Sequence, residues 1–368
     1  MKKSKPKRAG KSKEQLLAEL AAKRTGTLKI SACWIVKNDA ERLRLSINSV
    51  KDYVDELIVV DTGSTDDTID AARELGAKVF EQPWAGDFSA PRNLAIKNAT
   101  GDWIIFLDSD EFIPGDISTN LRPAINIAVQ QKKQAMLINL VNIDVDKHND
   151  ILDSTYLCRI FKKLDGIHYV GRIHEELQTA EGKPPSKTIL VPGDVLKIYH
   201  TGYSSAVNRD KAARNLKMLL AELNETDHPE RIYGYLAQCY NGLDDFVNAE
   251  KYARLAIEKS PRNSTFASSP HRILLKILSD KDAERLDERF AAAERAVEDF
   301  PTLPEFRAEL AECFAAKHEY DRAISEMESA LKHHKSYRGV EPMMFDQAMA
   351  DFAAERIRQW NKLIGGNG

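Results

Sequence analysis

The chain has 368 residues, too many for one ordinary core, and its length implies two domains. At 43% hydrophobic and 30% charged it has the composition of a soluble globular protein, and no apolar run approaches the roughly 18 residues that span a bilayer. Seven of its 53 cations, Lys2, Lys3, Lys5, Lys7, Arg8, Lys11 and Lys13, crowd into the first thirteen residues; the remaining 46 basic groups face 56 acidic ones, a balance of −10 that argues against a broad nucleic-acid surface.

Residues 1–27 read as a basic, disordered tail that could touch anionic lipid, a phosphate polymer or RNA. They are not a signal peptide, because LLAEL is interrupted by Glu19 and followed by Lys23 and Arg24 where an apolar segment should continue. Cys33, Cys158, Cys239 and Cys313 are widely separated and form no C-x-x-C pair, so neither a disulfide framework nor a zinc site is indicated. The expectation is a cytoplasmic protein with at most peripheral contact at the inner membrane face.

From residue 28 to 203 short apolar runs alternate with amphipathic stretches. ISACWIV (30–36) reads as a first strand, and Asp39 to Val54 as a helix with Leu43, Ile47, Val50 and Val54 on one face. ELIVV (56–60) is a second strand, and the next helix begins in DTGSTDDT, where Gly63 permits a tight turn, Ser64 can cap, and Asp66 and Asp67 suit the positive helix end. AKVF (77–80) is a short third strand, Ser89 to Asn98 a third helix, and WIIFL (103–107) a fourth strand that stops on Asp108, Asp110 and Glu111. MLINLVNI (136–143) and TYLCRIF (155–161) read as strands of antiparallel type, whereas GRIHEEL and the VLKIYHTGY segment (195–203) resist placement.

Strands alternating with helices imply a mainly parallel sheet, which opens its ligand crevice at the strand C-termini. Asp39, Asp61, Asp108 and Asp110 are then expected along one sheet edge. The D-x-D spacing alone says little, since Asp144 with Asp146 and Asp280 with Asp282 repeat it; only Asp108 with Asp110 follows an apolar strand. Two carboxylates there can hold Mg²⁺ or Mn²⁺ carrying a phosphorylated substrate, or divide their work between metal and ribose. Asp61 can accept hydrogen bonds from a base or ribose, and Asp39 is expected among the nucleotide-sugar-binding residues, with a helix cap explaining it equally well.

Beyond Asp210 strands vanish and a helical repeat of about 34 residues emerges. Tyr233, Leu236, Ala237, Tyr240, Ala249, Ala256 and Pro261 fit one tetratricopeptide-like unit, with Ala253 where a larger residue is usual, and Leu310, Ala311, Phe314, Ala323, Met327 and Ala330 fit another. Ala296 stands 34 residues before Ala330 but 40 after Ala256, which implies an insertion.

Together NDAERLRLSINSV, DTGSTDDT, PRNLAIKNATGDWIIFLDSDE, CRIF, GRIHEEL and IYHTGY resemble family 2 glycosyltransferases of the GT-A fold, over roughly residues 28–203. With helical repeats over 204–368, the architecture is similar to bacterial glycosyltransferases that include the peptide S-glycosyltransferases of bacteriocins. The resemblance implies a GT-A α/β domain and an inverting, metal-dependent transfer from a nucleoside-diphosphate sugar. Asp61 matches the nucleotide-contacting aspartate, and Arg92 a basic position near the donor. Asp108 and Asp110 match the D-x-D, Asp110 being the favoured metal ligand. Glu175 matches the region of the catalytic base, with Glu176 beside it as the alternative and His174 as a group that could orient it. His200 matches a histidine near the donor phosphates that completes the metal site.

The acceptor is open between a peptide or protein and a saccharide or lipid-linked chain, selected by 112–170 with the repeats, which can also seat a protein partner. Two other readings compete: a phosphohydrolase with Asp108 as nucleophile, and a non-catalytic repeat scaffold with a degenerate nucleotide-sugar domain.

Overall fold

The computed structural model describes residues 28–145, 149–201, 208–262, 266–279 and 284–365. The basic tail, Asp146, the Asp280 and Asp282 pair, and the end of the IYHTGY segment lie outside the described residues. The chain forms two compact units that divide after residue 203.

The first unit is built on β1 (Ile30–Val36), β2 (Glu56–Asp61), β3 (Lys78–Glu81), β4 (Trp103–Asp108), β5 (Glu111–Phe112), β6 (Ala135–Asp144), β7 (Asp150–Lys162), β10 (Thr188–Leu190) and β11 (Lys197–His200). A separate hairpin pairs β8 (His168–Val170) with β9 (Glu176–Gln178), which resolves the GRIHEEL segment as a loop entering a strand. The large sheet runs β3-β2-β1-β4-β7-β6-β11-β5, with β10 added on β6. Its first four strands are mutually parallel, because helices α1 (Ala40–Val50), α2 (Thr68–Glu74) and α3 (Ser89–Asn98) return the chain across the sheet each time. Past β4 the order becomes mixed: β7 lies antiparallel between β4 and β6, while β11 is parallel to β6. Helix α4 (Leu121–Gln130) packs its Leu121, Ile125 and Ala128 into the same core as α1 and β1.

The stripe on α1 is Leu43, Ile47 and Val50, all buried, and the helix tightens into a 3₁₀ turn at Lys51–Tyr53 before reaching Val54. Ser64 does not cap α2, which starts four residues later; Asp66 takes the Thr68 N–H instead, at 3.1 Å.

The second unit is all helix among the described residues: α5 (Asn208–Leu223), α6 (Tyr233–Gly242), α7 (Phe246–Lys259), α8 (Ser269–Ser279), α9 (Leu286–Asp299), α10 (Pro304–Ala316), α11 (Tyr320–Ser336) and α12 (Gln347–Gly365). Ala237, Ala249, Ala253 and Ala256 are buried between α6 and α7, and Ala311, Ala323 and Ala330 between α10 and α11. Small side chains let paired helices approach closely, and a large residue there would force them apart. The insertion falls on both sides of α8: Lys259 to Ser269 before it and Ser279 to Leu286 after it, where α6 and α7 need only Gly242 to Phe246.

Inside this unit His271 is buried against Phe300 and Phe306 with Nε2 3.3 Å from Asp299 Oδ2, but Asp299 already holds Arg262 at 2.8 Å and Arg295 at 3.0 Å. Burial, opposed by Asp299 but assisted by those two cations, pushes His271 down to about 4. The unfolded chain protonates this histidine near its ordinary 6.5 while the folded chain does not, so stability is full above 6.5 and falls as pH drops toward about 4. Thermal melts over that range are expected to show a steeper loss for the native chain than for His271→Gln; identical slopes would remove His271 as the cause.

All four cysteines are unpaired. Burial pushes the Cys158 thiol up to about 12, so none of its chemistry is that of a reactive thiolate. No helix among the described residues is long and apolar enough to cross a membrane.

Candidate active site

Parallel register brings the acids together. Val36 pairs with Asp61 and Ile35 with Asp108, so β2 and β4 end on either side of β1 at the same sheet edge. Asp61 is 2% exposed, and its Oδ1 accepts the N–H groups of Gly63 and Ser64 at 2.9 and 2.8 Å. Gly63 sits at φ +109°, a conformation open to glycine, which is what curls the turn back over the carboxylate. Asp61 Oδ2 is buried with no hydrogen-bond partner. A carboxylate oxygen held dry at a strand end is a strong acceptor whose missing donor a ligand N–H or O–H would supply.

Asp39 occupies the N-cap position of α1, yet its side chain makes no capping bond. Its carboxylate instead accepts from Arg42 Nε at 2.7 Å and Ser109 Oγ at 2.5 Å, tying the end of β1 to the residue between the two D-x-D aspartates. The capping explanation is therefore corrected: Asp39 supports the D-x-D turn.

Asp108 lies between two guanidiniums, with Oδ1 2.7 Å from Arg92 Nη2 and Oδ2 2.9 Å from Arg159 Nη2. Burial disfavours its charge, but Arg92 and Arg159 overcome that and hold the carboxyl well below the usual range. Both Asp108 oxygens are thus engaged by guanidinium groups in this arrangement. Arg92 is not a surface charge: it is 4% exposed, with its guanidinium 4.7 Å from the Phe106 ring and 5.5 Å from Tyr169, and its Nε against Glu175 Oε1. Its charged partners are Asp108 and Glu175.

Asp110 faces His200, Oδ2 to Nε2 at 3.3 Å. Two bonds from Thr201, N–H at 3.0 Å and Oγ1 at 3.2 Å, hold the Asp110 carbonyl, and β11 pairs His200 with Glu111 across the strand. The His200 Nδ1 lies 2.7 Å from Asn142 Oδ1, which fixes the ring and turns Nε2 toward Asp110. Burial opposes the imidazolium, but Asp110, then Glu111 and Asp108, outweigh it and raise the His200 pKa. No group of three or more His, Cys, Asp or Glu able to hold a metal occurs among the described residues. One carboxylate and one oriented imidazole nevertheless suit a divalent ion that takes its remaining ligands from phosphate and water.

Glu175 arrives from the β8–β9 loop, which α3 holds. Asp87 Oδ1 accepts the Ser89 N–H at 2.7 Å and so caps this helix. Ser89 Oγ donates to the Gly171 carbonyl at 2.6 Å, and the Phe88 N–H donates to the Arg172 carbonyl at 2.8 Å. Asn93 pairs with both backbone groups of Tyr169, Nδ2 to O at 2.9 Å and Oδ1 from N–H at 2.7 Å, like one more rung of a sheet. Strand alternation separates the two glutamates: Leu177 faces the core, Glu176 lies on the opposite face opposite Val170, and Glu175 returns to the side of Arg92. His174 sits at φ +53°, a strained turn that delivers Glu175 inward.

The sequence reading missed Arg159, Glu111 and Asn93. Arg159 and Asn93 lie within the CRIF and PRN segments, where no local pattern marks the partner of either side chain. Glu111 followed the D-x-D as an apparently surplus acid, although a charge ending an apolar strand already hinted at a buried partner.

Residues 31–176 match the family described as Glycosyl transferase family 2. The chain is 36% identical over 209 residues to a TPR repeat-containing protein of Synechococcus elongatus, covering 55% of this chain and 50% of the relative. It is 28% identical over 234 residues to the SPbeta prophage-derived glycosyltransferase SunS of Bacillus subtilis, covering 61% and 52%. Among solved structures it is similar to S. aureus TarS 1-349 in complex with UDP-GlcNAc, at 18% identity, a TM-score of 0.41, and coverage of 74% of this chain and 90% of that one. The chain spans about half the length of these curated relatives. Residues 31–176 of the α/β unit thus carry the match to Glycosyl transferase family 2, and an all-helical unit follows them, in keeping with a relative named for its TPR repeats.

Proposed function

We propose that this protein is an inverting, metal-dependent glycosyltransferase that moves a sugar from a nucleoside-diphosphate sugar to a peptide, protein or glycan acceptor. The observation that carries the reading is the meeting, at one sheet edge, of a buried unpartnered carboxylate oxygen on Asp61, the Asp110 and His200 pair, and Glu175. Asp61 Oδ2 would accept a hydrogen bond from the base or ribose of the donor. Asp110 and His200 would hold Mn²⁺ or Mg²⁺ against the diphosphate, where the ion supplies Lewis-acid stabilisation of the leaving group. Asp108 would act from behind, orienting its neighbours.

Glu175 would take the proton of the acceptor nucleophile on Oε2 as that nucleophile attacks the anomeric carbon and the bond to the diphosphate oxygen breaks with inversion. Its Oε1 contact with Arg92 keeps the carboxylate aimed. The helical repeats would select the acceptor, since such stacks present long concave surfaces suited to extended chains.

The test is a panel of nucleotide sugars scored for Mn²⁺-dependent hydrolysis and calorimetric binding. One donor should bind and turn over, and Asp61→Asn should raise its Kd by about tenfold or more, because an amide N–H replaces the acceptor left for the ligand. Absence of binding by every donor would favour the scaffold reading.

A further inference from the structure

We propose that Glu111 and Arg159 are a positioning pair: they clamp the turn from Asp108 to Glu111 and, through Asp108 and Arg92, set where Glu175 stands relative to Asp110. The inference rests on the transferase reading above and adds residues to which that reading gives no role.

The starting point is a gap in the sheet. β4 and β7 pair only over Trp103–Ile105 with Ile160–Lys162, so the ladder stops just before Phe106 and Arg159. Where the backbone bonds end, the Arg159 side chain takes over. Its Nη2 touches Asp108 Oδ2 at 2.9 Å and also Glu111 Oε1. Glu111 closes the turn with its other oxygen, accepting the Asp108 N–H on Oε2 at 3.2 Å. The same carboxylate thus grips the backbone at the start of the turn and the guanidinium beside it.

From Asp108 the chain of charges continues to Arg92 at 2.7 Å and on to Glu175. The order Glu111, Arg159, Asp108, Arg92, Glu175 alternates in sign from the turn that carries Asp110 to the loop that carries Glu175. Most of it is enclosed, Glu111 at 1% and Arg92 at 4% exposed, while the side chain of Asp108 in the middle is 31% exposed. Burial pushes the Glu111 carboxyl up, Arg159 pulls it back, and the charge of Asp108 adds to the rise. In such surroundings, losing one member leaves its neighbour charged and uncompensated, which makes each link stiff. Neither Glu111 nor Arg159 needs to touch substrate; each acts through another residue.

The experiment compares full-length Arg159→Met, Arg159→Lys, Glu111→Gln and the double variant Arg159→Met/Glu111→Gln. Arg159→Met is expected to lower kcat by roughly 10²-fold, the scale of a small misplacement of reacting groups, with donor KM changed by less than about threefold. Arg159→Lys should recover about tenfold of that loss, since a single nitrogen makes both contacts. Glu111→Gln, nearly isosteric and the safer variant for folding, should cost about tenfold, and the double variant no more than Arg159→Met, because the two residues work as a unit. Hydrogen exchange supplies a readout independent of turnover: in Arg159→Met, amides of both 108–112 and 171–176 should exchange faster, while those of β1 and β2 stay protected.

Unchanged kcat in Arg159→Met and Glu111→Gln, a rise in KM alone, fully additive losses, or faster exchange confined to 108–112 would each overturn the proposal. If the native chain turns over no nucleotide sugar, the transferase reading fails, and the exchange experiment still decides the coupling.

Discussion

An Asp110→Asn chain is expected to lose sugar transfer by about 10³-fold or more while melting as the native chain does. The side chain of Asp110 reaches His200, and the backbone carbonyl that Thr201 holds is untouched by the substitution. Asparagine fills the same volume but brings no charge to a divalent ion, so Mn²⁺ titrated alone by calorimetry should bind more weakly than to the native chain. Asp108→Asn should behave differently. It leaves Arg92 and Arg159 facing each other without their shared anion, a change of the kind that costs about 3–5 kcal/mol of stability. The pair of variants separates a metal ligand from a structural strut: the first should lose rate at constant Tm, the second should lose Tm. Full activity in Asp110→Asn would remove that residue from the metal site.

Glu175→Gln is expected to lower kcat for transfer by about 10³-fold, within the range for loss of a general base, with donor binding and metal-dependent donor hydrolysis retained. Glutamine keeps an oxygen for Arg92 Nε and loses only the capacity to take a proton. Glu176→Gln should stay within about twofold, because that side chain lies on the other face of β9. Initial rates with saturating donor and a fixed acceptor make the comparison. A large loss in Glu176→Gln with none in Glu175→Gln would reverse the assignment.

Much of the α/β unit was legible along the chain because its strands are short apolar runs with abrupt ends. β1 and α3 fall on their expected bounds, and WIIFL stops at Asp108 as its composition demanded. The repeat units were legible for a related reason: close helix packing requires alanine at fixed intervals, and such a requirement is periodic by nature. The edge of four aspartates also followed, since parallel strands place their C-termini on one side.

Pair identities were not legible. Arg159 lies 51 residues from Asp108, and His200 is 90 residues from Asp110. No local pattern tells an arginine on β7 which acid it will meet, because that depends on β7 running antiparallel beside β4 and on the ladder stopping where it does. The same holds for Asp39, whose position at a helix start suggested a cap while its carboxylate bonds Ser109 across the sheet edge. It holds too for Arg92, an ordinary-looking charge in sequence that packing encloses between Phe106 and Tyr169.

What the chain alone determined is thus the alternating elements from β1 to β4, the edge on which the acids gather and the residue types available for metal and proton chemistry, all consequences of periodicity and of strand ends. The tertiary structure decided which carboxylate is spoken for. Asp108 is neutralised on both oxygens and Asp110 is presented to His200, a division between adjacent acids that only the three-dimensional positions of Arg92, Arg159 and His200 could make.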